Sequence, residues 1–164
     1  MIGSLSGVTN HASACDMPVE IDKHTAQFIG RHRVARMATV DAEARPMVVP
    51  VCYAFDGNYF YTPIDEKPKS VAAGDLKRVR NIKANSRVAL VIDHYSEDWR
   101  ELTYVLVSGE AEIIEPEVGD SEHSRAVTLL REKCQQYRSM AIDQRPIIRI
   151  TPRRFKSWTP AAQE

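Results

Sequence analysis

Apolar positions recur along this chain with two different periods, and the switches between them mark out its elements. From Glu20 to Arg31 the residues Ile21, Thr25, Phe28 and Ile29 fall on one face at helical spacing, with Asp22 placed as an N-cap, so a short helix is expected. From Arg33 to Val40 the period becomes two. Val34, Arg36, Ala38 and Val40 alternate with Ala35, Met37 and Thr39, the pattern of a strand. Pro46 to Phe55 reads as a second strand and Asn58 to Thr62 as a third, joined through Asp56-Gly57, where glycine accepts the positive φ of a tight turn. Ser70 to Ala84 reads as a helix interrupted by Gly74, with Val71, Leu76, Val79 and Ile82 facing inward. Arg87 to Asp93 and Thr103 to Ile114 are further strands, the second with a bulge or bend expected at Gly109. Gly119 to Tyr137 reads as a helix with Ala126, Val127, Leu130, Cys134 and Tyr137 on one face. Pro146 to Thr151 is the last strand, with Phe155 to Trp158 as an extension beyond Pro152.

Six strands joined mostly as hairpins, with one helix after the third and another before the last, predict a mainly β (α+β) fold. The expected architecture is an antiparallel barrel with helices packed outside, since closure removes exposed strand edges. A length of 164 residues suits one domain, read here as residues 20–164 behind a flexible tail over 1–19. The opening residues carry neither a basic region nor a sustained apolar stretch, so no signal peptide is expected and the chain reads as cytoplasmic. The longest apolar run, Met47 to Phe55, is broken by Pro50 and falls far short of the ~20 residues that cross a bilayer.

Charge changes the picture more than composition does. The net charge is zero, with 22 basic and 22 acidic side chains, yet the charges are segregated. Lys67 to Arg87 holds Lys67, Lys69, Lys77, Arg78, Arg80, Lys83 and Arg87 against the single acid Asp75. Val88 to Glu122 reverses this, with ten acids and one base, Arg100. A local basic patch on a neutral domain fits one anionic ligand, whereas a nucleic-acid surface would make the whole domain basic. No aromatic residue stands between Tyr61 and Tyr95 to stack on bases, which argues further against nucleic acid.

The seven glycines form neither a G-x-G-x-x-G nor a P-loop, and there is no G-x-S-x-G or H-E-x-x-H. The histidines His11, His24, His32, His94 and His123 stand singly, so no metal site is expected. The three cysteines, Cys15, Cys52 and Cys134, fit neither a zinc knuckle nor a disulfide scaffold and read as free thiols, the last two within packed faces.

The run RVARMATVDAEARPMVVPVCYAFDGNYFYT, followed by KRVRNIKANSRVALVID and YVLVSGEAEII, resembles the pyridoxamine 5'-phosphate oxidase-like FMN-binding split barrel superfamily over residues 20 to 158. The DHYSEDW segment, Asp93 to Trp99, is similar to its deazaflavin (coenzyme F-420) dependent subgroup. The resemblance implies a homodimer of six-stranded split barrels, with two cofactor sites in the cleft between subunits. It places Arg36, Met37, Ala38 and Thr39 of the first strand, and Val49, Pro50 and Val51 of the second, beside an isoalloxazine-type ring. Tyr61 and Thr62 resemble the aromatic-threonine pair near the ribityl-phosphate. Lys77 and Arg78 match the basic pair that precedes a helix end bearing asparagine, here Asn85, and Lys69 lies in a lysine-bearing loop that could lend a further cation. Trp158 resembles the aromatic that closes the ring pocket from the partner chain.

Elementary chemistry agrees with that set. A dianionic phosphate requires two or three charge-assisted donors, which a guanidinium and an ammonium on one helical turn supply. A flat heteroaromatic ring requires strand donors and an apolar or aromatic wall. Against each functional reading stands a plainer one: a surface strand residue for Arg36, core or interface packing for Trp99 and Trp158, a solvated loop for Lys67 and Lys69. The C-terminal PRRFKSWTP lacks the arginine and histidine motif with which pyridoxamine phosphate oxidases grip substrate, so vitamin B6 oxidation is not expected. The implied activity is a flavin (FMN) or deazaflavin-dependent hydride transfer to or from a small molecule. Its rival is a non-catalytic flavin- or haem-binding module serving as sensor or store. No catalytic dyad is visible; Tyr61, Tyr104 and His94 are the candidate proton donors.

Overall fold

The computed structural model describes residues 19–64, 76–117 and 119–160. The expected tail, Lys69 and the first part of the expected Ser70 to Ala84 helix lie outside the described residues. The described elements run α1 (Lys23–Arg31), β1 (Val34–Val40), β2 (Pro46–Cys52), β3 (Ala54–Phe55), β4 (Phe60–Pro63), α2 (Lys77–Ala84), β5 (Arg87–His94), β6 (Thr103–Ile114), α3 (Ser121–Lys133) and β7 (Ile147–Trp158), with short 3-10 turns at Gln135–Arg138 and Ile142–Gln144.

The seven strands form one curled antiparallel sheet in the order β2-β1-β5-β6-β7-β4-β3. Its two edge strands, β2 and β3, are consecutive pieces of a single stretch of chain. The expected strand Pro46 to Phe55 is therefore cut at Tyr53, and the cut accounts for seven strands where six were expected. Tyr53 leaves the ladder to bond its N–H to the Arg33 carbonyl at 3.3 Å, while its hydroxyl donates to the Ile29 carbonyl at 2.8 Å. The chain thus changes partner from β1 to β4 and draws the two edges of the sheet together. Edge position also explains Pro46 and Pro50, whose missing N–H groups a central strand could not spare.

The barrel interior is filled by Ile29, Met37, Tyr53, Phe60, Leu90, Ile92, Val105, Val107 and Ile148, with α2 contributing Leu76, Val79 and Ile82. A second cluster lies outside the sheet, where Ala126, Val127, Leu130 and Cys134 of the α3 region pack with Ala54, Tyr61, Tyr137, Ile142 and Ile147. The apolar face read from the sequence for this last helix is the face that is buried, although the α-helix stops at Lys133 and a 3-10 turn carries Tyr137.

Local capping follows the residue types. Asp22 accepts from the Thr25 amide at 2.9 Å and from its hydroxyl at 2.6 Å, which holds the Asp22 carboxyl below its ordinary range. Asp120 caps α3 by accepting from the amides of Glu122 and His123. At Gly57 φ is +101°, as the Asp56-Gly57 turn between β3 and β4 requires. β6 and β7 slip register between Ser108 and Gly109, opposite Arg153. A Cβ at Gly109 would fall on the Thr151 carbonyl oxygen, so the bulge can form only with glycine there unless the backbone moves. β7 runs unbroken through Pro152, and Phe155 to Trp158 extends it.

Candidate functional site

The strand alternation divides the expected site residues between two faces. Ala35, Met37 and Thr39 point into the barrel, as does Val51, whereas Val34, Arg36 and Pro50 are exposed on the opposite face. Cross-strand registers assemble that outward face into transverse rows. One row runs Pro50, Arg36, Val91, Leu106, Lys156, and the next runs Val48, Ala38, Ala89, Ser108, Arg154. At one end Tyr104 pairs with Trp158, their rings stacked 5.7 Å apart and 11° from parallel. Val48 is 61% exposed, Val34 41% and Trp158 38%, so apolar and aromatic side chains stand open on this face beside the exposed Arg36, Arg154 and Lys156.

Arg36 rises from the middle of this face and forms an ion pair with Asp93 of β5. The β1 backbone around it is paired with both β2 and β5 over Arg36 to Ala38, so the ladder already employs its amides there. Thr39 and Val40 pair with β2 alone. On their other side lies α2, whose Asn81 Nδ2 donates to Thr39 Oγ1 at 2.9 Å with both residues buried.

This contact seats the first turn of α2 beside the end of β1. Lys77 Nζ lies 3.9 Å from Asp41 Oδ2 in the β1–β2 turn. Asp41 also accepts from the Arg45 amide at 2.9 Å and from its guanidinium at 2.8 Å, and these bonds hold its carboxyl below the usual range. Lys77 is exposed and Arg78 half-buried. The first turn of α2 contains no acid, and Leu76 at the N-cap supplies no capping side chain. The start of α2 thus carries two cations, of which Lys77 already faces the Asp41 carboxylate.

Tyr61 and Thr62 occupy opposite faces of β4. Thr62 is buried, and Tyr61 points outward beneath α3. The Tyr61 hydroxyl lies 3.0 Å from Glu122 Oε1 and 3.2 Å from Asp56 Oδ2, and it accepts from Arg125 Nη2 at 3.1 Å. Burial first, and then the Asp56 carboxylate, push the phenol well above its ordinary value. Of the three proton-donor candidates, Tyr61 is thus committed to this network, Tyr104 stacks on Trp158, and His94 is exposed at the end of β5. Trp99, after β5, is 74% exposed and joins neither core cluster among the described residues.

The structure therefore brings Arg36, Ala38, Pro50 and Trp158 onto one open face, and Lys77 and Arg78 onto one helical turn. Met37, Thr39 and Val51 support that face from within, and Val49 is half-buried at their register. Sequence reasoning missed Asn81 and chose Asn85, which caps the end of α2 and accepts from the Arg87 amide. The signal for Asn81 was its position two residues after Val79 and beside Ile82, a polar residue on the buried side of an amphipathic helix. Two clefts of about 350 and 360 Å³ lie elsewhere, one beside His123 and Asp143, the other beside Tyr59 and Arg149. None of the expected site residues lines either cleft. No described helix is long and apolar enough to cross a membrane.

Known structures share this architecture. The haem storage protein HutZ of Vibrio cholerae superposes with a TM-score of 0.64 at 14% identity, over 87% of this chain and 95% of its own. An FAD-binding protein of Mesorhizobium loti gives 0.60 at 21% identity, over 80% and 89%. An F420 reductase gives 0.59 at 21% identity, over 83% and 98%. None of the curated proteins matches the sequence significantly. The family model described as pyridoxamine 5'-phosphate oxidase matches residues 21–159, which is most of the chain and includes every described strand. The chain belongs to the pyridoxamine 5'-phosphate oxidase-like split barrel family.

Proposed function

We propose that this chain binds a flavin-type cofactor on the outward face of β1, β2, β5, β6 and β7, and that it serves hydride transfer to or from a small molecule. FMN is the proposed species, with the deazaflavin coenzyme F-420 as its alternative. The observation that carries this reading is the open apolar face around Arg36, bordered by the Tyr104–Trp158 stack. Its residues fit a flat ring: Ala38 and Pro50 leave room above the sheet, Arg36 offers a guanidinium to ring carbonyls, and Trp158 supplies an aromatic wall. Lys77 and Arg78 on the uncapped turn of α2 suit the phosphate, with Lys69 as a further cation. Met37, Thr39, Val49 and Val51 back the face from the interior side, while Thr62 is buried on β4 against Ile148 of β7, away from that face. Tyr61 fixes β4 against α3.

Bound there, the cofactor supplies the redox chemistry, and the protein orients the ring and excludes water from one side. A single sheet face has no opposite wall. The reading therefore includes a homodimer in which a second copy of this face closes the site, which also accounts for the exposure of Val34, Val48 and Trp158 in one chain. Similarity to an F420 reductase and to an FAD-binding protein supports the cofactor class. Similarity to HutZ keeps a second reading in view, a haem- or flavin-binding module without turnover.

Titration with FMN and with coenzyme F-420, followed by flavin or deazaflavin fluorescence, tests the assignment. Arg78→Ala is expected to weaken binding by at least tenfold; unchanged affinity would remove the phosphate site from the α2 turn. Reduction and reoxidation of the bound cofactor by any donor supports the enzyme, and a cofactor that binds without cycling supports the storage module.

A further inference from the structure

Two cysteines meet where the end of β2 lies under the C-terminus of α3. Cys134 follows directly on the last helical residue and is fully buried in the outer apolar cluster, and Cys52, the last residue of β2, packs against the same cluster. Gln136, two residues beyond Cys134, donates from Nε2 to Cys52 Sγ at 3.2 Å, and the neighbouring Cys52 thiol helps push the Cys134 thiol up. Cys52 is only partly buried, so one sulfur of the pair is open to a small reagent while the other is sheltered.

We propose that Cys52 and Cys134 are a reversible oxidation site, closing to an intramolecular disulfide in the presence of hydrogen peroxide. The accessible Cys52 sulfur attacks the peroxide oxygen, the O–O bond breaks, and Cys52 becomes a sulfenic acid with release of one water. The Cys134 sulfur then attacks that sulfenic sulfur, the S–O bond breaks, and the hydroxyl departs with the Cys134 proton as a second water. Two thiols have lost two electrons and hydrogen peroxide has taken them up. The adjacent Lys133 holds its ammonium 3.0 Å from the Ile29 carbonyl and 3.7 Å over the Tyr53 ring, and its charge opposes the burial and hydrogen bonding that keep the Cys134 thiol protonated.

The bridge would tie α3 to β2 at Cys52, which pairs with Val34 at the edge of the outward face. It does not depend on which cofactor occupies that face. The test treats the full chain with stoichiometric hydrogen peroxide, blocks remaining thiols under denaturing conditions, and maps the peptides by mass spectrometry. The expected result is a fall from three free thiols to one, a single cross-linked pair joining the peptides of Cys52 and Cys134, and recovery of all three thiols with dithiothreitol. Cys52→Ser is expected to leave Cys134 reduced under the same treatment. A sulfinic acid at Cys52, a bridge to Cys15, a bridge between chains, or no loss of thiol would each overturn the proposal.

Discussion

Asn81 Nδ2 lies 2.9 Å from Thr39 Oγ1, and this one buried bond ties the helix that carries Lys77 and Arg78 to the strand that carries Arg36. Without it the Asn81 amide and the Thr39 hydroxyl would each be left in the barrel interior short of a partner. Asn81→Leu is expected to cost about 1–3 kcal/mol of stability by urea denaturation. Thr39→Val in the same background should recover part of that loss, because both polar partners are then gone. A cycle in which the two losses simply add would show that the bond contributes nothing.

Gly109 makes the second prediction. Any side chain there meets the Thr151 carbonyl across the β6–β7 bulge. Gly109→Ala is expected to cost about 1–3 kcal/mol, the range for an overpacked site. The calorimetric Tm should fall accordingly, whereas Gly30→Ala, with open space around the added Cβ and a helical site, should hold or raise it.

Tyr61 separates structural from cofactor-binding roles. Its hydroxyl joins Glu122, Asp56 and Arg125 beneath α3, on the side of β4 away from the barrel interior. Tyr61→Phe is expected to lower stability by about 1–3 kcal/mol while leaving cofactor affinity unchanged. A loss of affinity larger than threefold with stability intact would place the hydroxyl at the ligand.

Lys133 predicts a pH dependence. Burial brings its ammonium down to about 8 from an ordinary 10.5. The folded state therefore releases this proton at lower pH than the unfolded chain does, and stability should rise from about pH 8 as the penalty of the buried charge is relieved. Tyr53 and Tyr61, whose phenols burial pushes up, act oppositely above pH 10.0, where only the unfolded chain ionises them. Lys133→Met should flatten the rise between about pH 8 and 10 in urea midpoints, and an unaltered slope would assign it to another group.

Much of this fold was legible because its strands alternate cleanly. The β1 alternation of Val34, Arg36 and Ala38 against Ala35, Met37 and Thr39 gave both the strand and its two faces, and Gly109 announced its bulge. What the pattern could not show was long-range. Tyr53 breaks a run that is apolar throughout, and the break depends on the Ile29 and Arg33 carbonyls that meet it in the fold. The resemblance points to Asn85 at the helix end and says nothing of Asn81, whose role depends on its facing Thr39 across the fold. Motif resemblance likewise grouped seven consecutive-strand residues around one ring, although a strand presents only every second side chain to a face.

On the proposed reading, the outward face around Arg36 and Trp158 holds a flavin-type cofactor between two copies of the chain. The most direct measurement is sedimentation velocity of the protein with FMN or coenzyme F-420, recorded at the visible absorbance of the cofactor. Cofactor absorbance is expected to travel with a species of twice the chain mass, and Val48→Glu on the open face is expected to abolish both the dimer and the bound cofactor. Cofactor that travels with a single chain, or that remains free at the meniscus for both species, would contradict it.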